Sequence, residues 1–230
     1  MKAIILAAGK GKRLGIYTKG NPKCLLKLGK ETILEREIRI LEECGFKKND
    51  IYVVGGYQYE KLLPFVPNLI INNEYETKDN SYSLALALSK LGGEDVLVMD
   101  ADLCFESSVI KELLHDKREN VLLSKKSEDL EESTGIITTQ EGRVVAIGKQ
   151  YLNTGYVYIS IFKIGKEIIP IFRNSLLSTR SEKTWYPLAI TELCEEYPFY
   201  NHVIEAKWHE IDFVEDYEET LRLFDLEKEQ

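Results

Sequence analysis

The chain has 230 residues, 44% of them hydrophobic and 30% charged, with a formal net charge of −8 at pH 7. That length allows one large domain or two small ones, and the composition is that of a globular chain. The acidic balance excludes the basic footprint of a nucleic-acid binder, and no stretch reaches the roughly 18 apolar residues of a membrane span.

The chain opens on Lys2–Leu6, KAIIL, followed by Ala7 and Ala8 and then Gly9-Lys10-Gly11-Lys12-Arg13-Leu14. An apolar run emptying into a glycine-rich basic loop predicts a buried parallel strand ending at an anion site. Glycines let backbone N–H groups approach a phosphate, and the cations neutralise charge that the amides leave. Pro22-Lys23 follows one loop later, and Leu25–Leu28 reads as a short strand or extended lead-in. Thr32 with Glu35 three residues on predicts a capping box for a helix that carries Ile33, Leu34, Ile38 and Leu41 and ends at Gly45. Strands are expected at Ile51–Val54 and Leu69–Ile71, with a short helix over 58–63 before Pro64. This alternation is the rhythm of a parallel sheet with helices on both faces.

Asp79 or Ser81 can cap a helix beginning near Asn80-Ser81-Tyr82-Ser83. Strand Val96–Met99 ends in Asp100-Ala101-Asp102. Two carboxylates at the end of a buried strand call for a charge partner or a cation, and oxygen donors suit Mg²⁺. The alternative is a cap for a helix over 106–114. From 119 the pattern turns to strands: Val121–Leu123, Ser133–Thr138 and Arg143–Ile147, the last two joined at Glu141-Gly142 as a hairpin layered beside the sheet. Gly148-Lys149 closes it, and Asn153-Thr154-Gly155 precedes a strand over Tyr156–Phe162. Helices are expected over 164–175, over 182–196 with Trp185-Tyr186-Pro187 near its start, and over 214–228, with a strand at Phe199–Ile204. Asp212, after Trp208-His209-Glu210-Ile211, is a second carboxylate candidate or an N-cap for the last helix. Cys24, Cys44, Cys104 and Cys194 form no C-x-x-C pair. With an N-terminal apolar run too short for a signal peptide, they suggest reduced thiols in a cytoplasmic protein.

The first loop matches neither G-x-G-x-x-G, since Leu14 stands at the last position, nor the P-loop. What stands here is L-A-A-G-x-G-x-R-L, then P-K. It resembles the signature of the nucleotidyltransferases that activate sugar phosphates and alcohol phosphates. The resemblance runs from this loop to the W-x-E-I-D stretch at Trp208–Asp212. It implies a Rossmann-like α/β three-layer sandwich with a mixed, mostly parallel central sheet and a small β-hairpin-rich acceptor subregion. It further implies one domain over 1–230, with residues 1–115 mainly nucleotide-binding and 116–230 mainly acceptor-binding.

By the same resemblance, Leu6, Ala7, Ala8, Gly9, Gly11, Lys12, Arg13, Lys23, Asn80, Ser83 and Asp100 are expected at the nucleotide. Asp102 and Asp212 are expected at Mg²⁺, and Lys149, Thr154, Gly155 and Trp185 at the acceptor. Arg13, Lys23 and Lys149 are the catalytic candidates. The D-A-D, N-S-Y-S and E-I-D stretches look most like the cytidylyltransferases of small phosphorylated alcohols, acting on CTP and inositol-1-phosphate, phosphocholine or 2-aminoethylphosphonate. Relatives with cationic acceptors tend to carry an acid just after the aromatic pair. Here Pro187-Leu188-Ala189 follows, which favours a neutral polyol such as inositol-1-phosphate. A hexose-1-phosphate uridylyl-, thymidylyl- or guanylyltransferase is the alternative enzyme, and an inactive nucleotide-binding regulatory subunit the alternative class. A monomer or homodimer is expected.

Overall fold

The structure, a computed structural model, describes residues 1–91, 93–126, 133–178 and 185–226. The first strand, β1 (Lys2–Ala7), lies at the centre because nearly every residue in it is apolar and buried. It is followed by a short helix α1 (Gly15–Thr18), a two-residue ladder of β2 (Lys27–Leu28) and β3 (Glu31–Thr32), and helix α2 (Ile33–Glu43). Then come β4 (Ile51–Gly55), β5 (Leu69–Ile71), α3 (Asn80–Lys90), β6 (Val96–Asp100), β7 (Leu103–Phe105) and α4 (Ser107–His115). The second half supplies β8 (Val121–Lys126), β9 (Gly135–Thr138), β10 (Val144–Gly148), β11 (Tyr156–Ile164), α5 (Ile169–Ser178), α6 (Tyr186–Cys194), β12 (Tyr200–Ile204), β13 (Trp208–Glu210) and α7 (Val214–Leu223).

One nine-stranded sheet runs β10-β9-β11-β6-β1-β4-β5, with β8 added on β11 and β12 added on β8. The run β6-β1-β4-β5 is parallel, and β11 enters antiparallel beside β6. Alternation along β1 sends Ile4 and Leu6 into the layer under α3, α5 and α6. Ala3, Ile5 and Ala7 pack on the other face with α2 and α4. This is the expected three-layer Rossmann-like sandwich. A third, smaller core joins Leu14, Leu26 and Leu28 to Ile211, Tyr217 and Leu221, so the last helix clamps the loop after β1. Tyr17 and Tyr217 rings meet at 4.8 Å, and the Tyr217 hydroxyl donates to the Lys27 carbonyl at 3.0 Å. No described helix is long and apolar enough to cross a membrane.

The capping box at Thr32 forms as expected: its hydroxyl accepts the Glu35 N–H at 3.1 Å and the Glu35 carboxylate accepts the Thr32 N–H at 2.7 Å. Several expectations are corrected. The 135–148 hairpin extends the sheet in its own plane and does not form a separate layer. Residues 23–25 form a 3₁₀ turn before β2, and 59–61 a single 3₁₀ turn that follows Gln58, whose left-handed φ of 47° keeps residue 58 out of it. The helix expected at 164 starts with a 3₁₀ turn at Lys166 and continues as α5. Of the helix expected over 182–196, residues 182–184 lie outside the described ones and α6 runs over Tyr186–Cys194; residues 227 and 228 of the one expected over 214–228 lie outside them too. The cap of α4 is Glu106, not Asp102.

Glu37 is fully buried in α2. Its Oε1 accepts the Leu103 N–H at 3.4 Å, while Oε2 has no hydrogen-bond partner among the described residues. Burial, then the charges of Asp102 and Asp100, push its carboxyl well above 4.5. The folded state therefore holds this proton more tightly than the unfolded chain. The contribution to stability falls as pH rises from the unfolded value towards the folded one. Glu37→Gln should raise Tm at pH 8 by roughly 3 °C more than at pH 4. Thermal melts at the two pH values check this, and equal shifts would contradict it.

Candidate active site

β1 ends at Ala7, and the loop that follows turns on Gly11, whose φ is 57°. A Cβ there would stand 2.5 Å from the Lys23 Cβ, so Gly11 meets both a backbone and a packing demand. Gly56 closes the other side, where a Cβ would lie 2.7 Å from the Ala8 carbonyl oxygen. The loop bounds a cavity of about 480 Å³ at the carboxyl ends of β1 and β6, the place where open α/β sheets bind ligands.

Of the residues expected at the nucleotide, Leu6, Ala7, Ala8, Gly9, Gly11, Arg13 and Lys23 line this cavity, as do Asn80, Ser83 and Asp100. Lys12 is exposed and does not. Asp79 caps α3 through its own carboxylate, which accepts the Asn80 N–H at 2.8 Å. The Asn80 side-chain Oδ1 accepts the Tyr186 N–H at 3.1 Å, and the Ser83 hydroxyl accepts from the Asn72 side-chain amide at 3.0 Å. Both side chains thus brace the wall as well as face it.

The carboxylates come together through the small β13-β7 ladder, which sets Glu210 opposite Leu103. The Ile211 N–H donates to the Asp102 carbonyl at 3.0 Å and fixes the two chain segments side by side. Asp102, Glu210 and Asp212 then offer oxygens that all lie within 4.8 Å of one another. Asp212 is not the cap of α7. The Asp216 carboxylate accepts the N–H groups of Asp212 (2.8 Å) and Phe213 (2.7 Å), and Phe213 takes the cap position. The Lys23 ammonium donates to Asp102 Oδ2 at 2.9 Å and to Asp212 Oδ1 at 2.6 Å. Arg13 donates to Asp212 Oδ2 at 3.4 Å and stacks over the Phe213 ring at 4.9 Å.

The charges explain one another. Burial opposes the Lys23 charge, but Asp102 and Asp212 outweigh it and hold the ammonium protonated well above its ordinary range. Burial, then Asp102 and Asp212, push the Glu210 carboxyl well up. Burial and Asp102 do the same to Asp100, whose Oδ2 accepts the Tyr186 hydroxyl at 3.3 Å. The donor set suits a hard divalent cation: three carboxylates converge, and Asp102 Oδ1 is buried without a hydrogen-bond partner among the described residues.

The four expected acceptor residues do not line this cavity. Lys149 is exposed at the start of the 3₁₀ segment after β10, Thr154 ends that segment and Gly155 follows it, and Trp185 takes the N-cap position of α6. The β11 residue next to Asp100 is instead Ser160, at a left-handed φ of 58° within a shift of the β11-β8 register. Sequence reading also passed over Glu210, Tyr75 and Lys78, the last two on the wall facing the glycine loop. Glu210 had a signal: it stands two residues before Asp212, on the same side of an extended chain. Tyr186, Tyr75 and Lys78 had none beyond their neighbourhood to expected residues.

The pattern of the MobA-like NTP transferase domain matches residues 3–179. A CTP:phosphoglutamine cytidylyltransferase from Campylobacter jejuni is 28% identical, with the alignment covering 95% of this chain and 98% of the relative. A bifunctional IPC transferase and DIPP synthase from Aquifex aeolicus is 29% identical over 95% of this chain, which spans only 50% of that relative's length. Among solved structures, a CTP:phosphocholine cytidylyltransferase from Streptococcus pneumoniae shares the fold at a TM-score of 0.83 and 24% identity, covering 97% of this chain and 98% of that one. The domain match takes in the glycine loop, Lys23 and Asp102, and the chain belongs to the MobA-like NTP transferase family as a nucleotidyltransferase.

Proposed function

We propose that this protein transfers a cytidylyl group from CTP to the phosphate of a small phosphorylated alcohol and releases pyrophosphate. One observation carries the reading: the glycine loop after β1 and the carboxylates of Asp102 and Asp212 line one cavity with Lys23 between the two, and Glu210 stands beside that pair. Relatives named as cytidylyltransferases support the nucleotide.

The acceptor phosphate is a dianion and needs no protein nucleophile. Its oxygen bonds to the α-phosphorus, the bond from that phosphorus to the β-phosphate bridge breaks, and pyrophosphate leaves with the electron pair. The glycine loop would present N–H groups to the triphosphate. Arg13 and Lys23 would offset charge building on the leaving group. Asp102 and Asp212, now joined by Glu210, would hold Mg²⁺, which when bound supplies neutralisation across phosphate oxygens. The remaining task is positioning. No histidine lines the cavity: His202 pairs with Asp116 and Glu112, and His209 with Thr220.

The run Trp185-Tyr186-Pro187-Leu188-Ala189 offers no carboxylate for a cationic headgroup, so inositol-1-phosphate is the favoured acceptor. Lys149, Thr154, Gly155 and Trp185 are proposed to meet it from outside the cavity, in a chain whose second half handles the acceptor. Lys149→Ala should then raise the acceptor KM about tenfold and leave the CTP KM unchanged. An unaltered acceptor KM would remove Lys149 from the site. The whole reading is tested by pyrophosphate release with Mg²⁺. CTP, UTP, GTP and dTTP are crossed against inositol-1-phosphate, phosphocholine, 2-aminoethylphosphonate, phosphoglutamine and glucose-1-phosphate. Turnover with CTP alone is expected. Turnover of UTP or dTTP with glucose-1-phosphate would replace the reading by the hexose alternative, and nucleotide binding with no turnover by the regulatory one.

A further inference from the structure

Lys23 has two stations on one stem. Its root packs beneath the glycine loop, close enough that a Cβ on Gly11 would meet the Lys23 Cβ, Cγ and Cδ at 2.5, 3.2 and 3.3 Å. Its head reaches the carboxylates, 2.9 Å from Asp102 Oδ2 and 2.6 Å from Asp212 Oδ1. The Lys23 side chain is 12% exposed and that of Asp102 23%, so this pair is partly shielded from solvent, while Asp212 at 39% stays open to it. The two oxygens that grip the ammonium belong to two of the three carboxylates able to hold a divalent cation. The third, Glu210, has no described hydrogen bond to Lys23.

We infer that Lys23 and the divalent cation compete for the Asp102–Asp212 pair. The ammonium serves as a built-in counter-ion of the carboxylates and swings to the glycine loop when a metal is taken up. The inference rests on the metal reading given above and adds an exchange to it. The chemistry favours it for three reasons. An ammonium is a compact charge on a flexible four-carbon stem, able to move its head several ångströms about a fixed root. A divalent cation brings twice the charge to the same oxygens, so the pair does not need both. The phosphates would lie at the loop above that root, so the freed ammonium moves towards the anion it would neutralise. Metal uptake and phosphate binding would then be coupled through one side chain, each favouring the other.

Mn²⁺ binding followed by electron paramagnetic resonance of the free ion, without nucleotide, tests this in wild type, Lys23→Met and Arg13→Met. Arg13→Met also removes one positive charge next to Asp212, but Arg13 does not bridge the pair. The exchange predicts at least tenfold tighter Mn²⁺ binding in Lys23→Met and no more than about twofold in Arg13→Met. Equal gains in the two variants would show a general charge effect and overturn the exchange, as would weaker binding in Lys23→Met. A second readout uses the unmodified protein and does not depend on that variant folding. Labelling by an amine-reactive reagent, quantified by peptide mass spectrometry, should rise severalfold at Lys23 on adding Mg²⁺ while other lysines stay constant. Unchanged labelling at Lys23 with Mn²⁺ bound would sink the exchange but leave the metal site standing. Mn²⁺ binding absent from both wild type and Lys23→Met would remove the metal reading and the exchange together.

Discussion

Replacing Asp102 by asparagine is expected to lower kcat/KM about a thousandfold while leaving the fold intact. Asparagine keeps the shape of the side chain, and the backbone carbonyl of residue 102 still accepts the Ile211 N–H that ties β7 to the tail. What is lost is one charge of the three-carboxylate cluster and the anionic character of Oδ1, the buried oxygen with no hydrogen-bond partner among the described residues. A neutral amide oxygen binds a hard cation far less well than a carboxylate. The amide would also leave Lys23 with a single anionic partner, Asp212. Pyrophosphate-release kinetics beside a thermal melt check this. A Tm within roughly 3 °C of wild type is expected, since the fold is retained. Activity within threefold of wild type would remove Asp102 from the reaction centre.

Lys23→Met is expected to be the next most damaging change, with kcat reduced about 100-fold or more and the CTP KM altered much less. The division follows from where the charge is used. An ammonium that offsets charge developing on departing pyrophosphate matters more in the transition state than in the bound substrate. Burial opposes this charge and the group stays protonated because Asp102 and Asp212 outweigh it, and methionine packs beside Gly11 as the lysine stem does without restoring the charge. Lys23→Arg should recover part of the rate, since the guanidinium is planar and forked where the site grips a compact head. Full steady-state kinetics for both variants decide the matter. A rise in the CTP KM with kcat untouched would make Lys23 a binding residue only.

The first half of the fold was legible because its signals are local. The apolar β1 run, the Thr32-Glu35 box and the Asp100-Ala101-Asp102 strand end each declare their element within a few residues, and each forms where expected. The glycine loop was equally readable, since Gly11 does what only glycine can do there. The second half was harder because its strands pair across long separations. The placement of β8 between β11 and β12 comes from tertiary pairing alone. So does the left-handed backbone at Ser160, a residue type with no preference for that conformation. Most residues named from the glycine loop, the Asn80 helix start and the D-A-D strand end line one cavity, whereas buried residues beside it gave no signal. Glu37 and Tyr186 became visible once α2 and α6 had packed against the sheet. Lys149 lies elsewhere. A short I-G-K stretch fixes a position in the chain but not a direction in space, and its side chain stands outside the cavity.

The most direct test follows one oxygen atom. Turnover of CTP with an acceptor whose phosphate oxygens carry ¹⁸O should be analysed by ³¹P NMR. The account predicts a CDP-linked product with ¹⁸O in the bridge between its two phosphorus atoms, formed in equal amount with pyrophosphate. That result requires the acceptor phosphate to be the nucleophile at the α-phosphorus. CMP carrying solvent oxygen would mean hydrolysis, and CDP with inorganic phosphate would mean cleavage at the γ-phosphorus. Either product would contradict nucleotidyl transfer by this site.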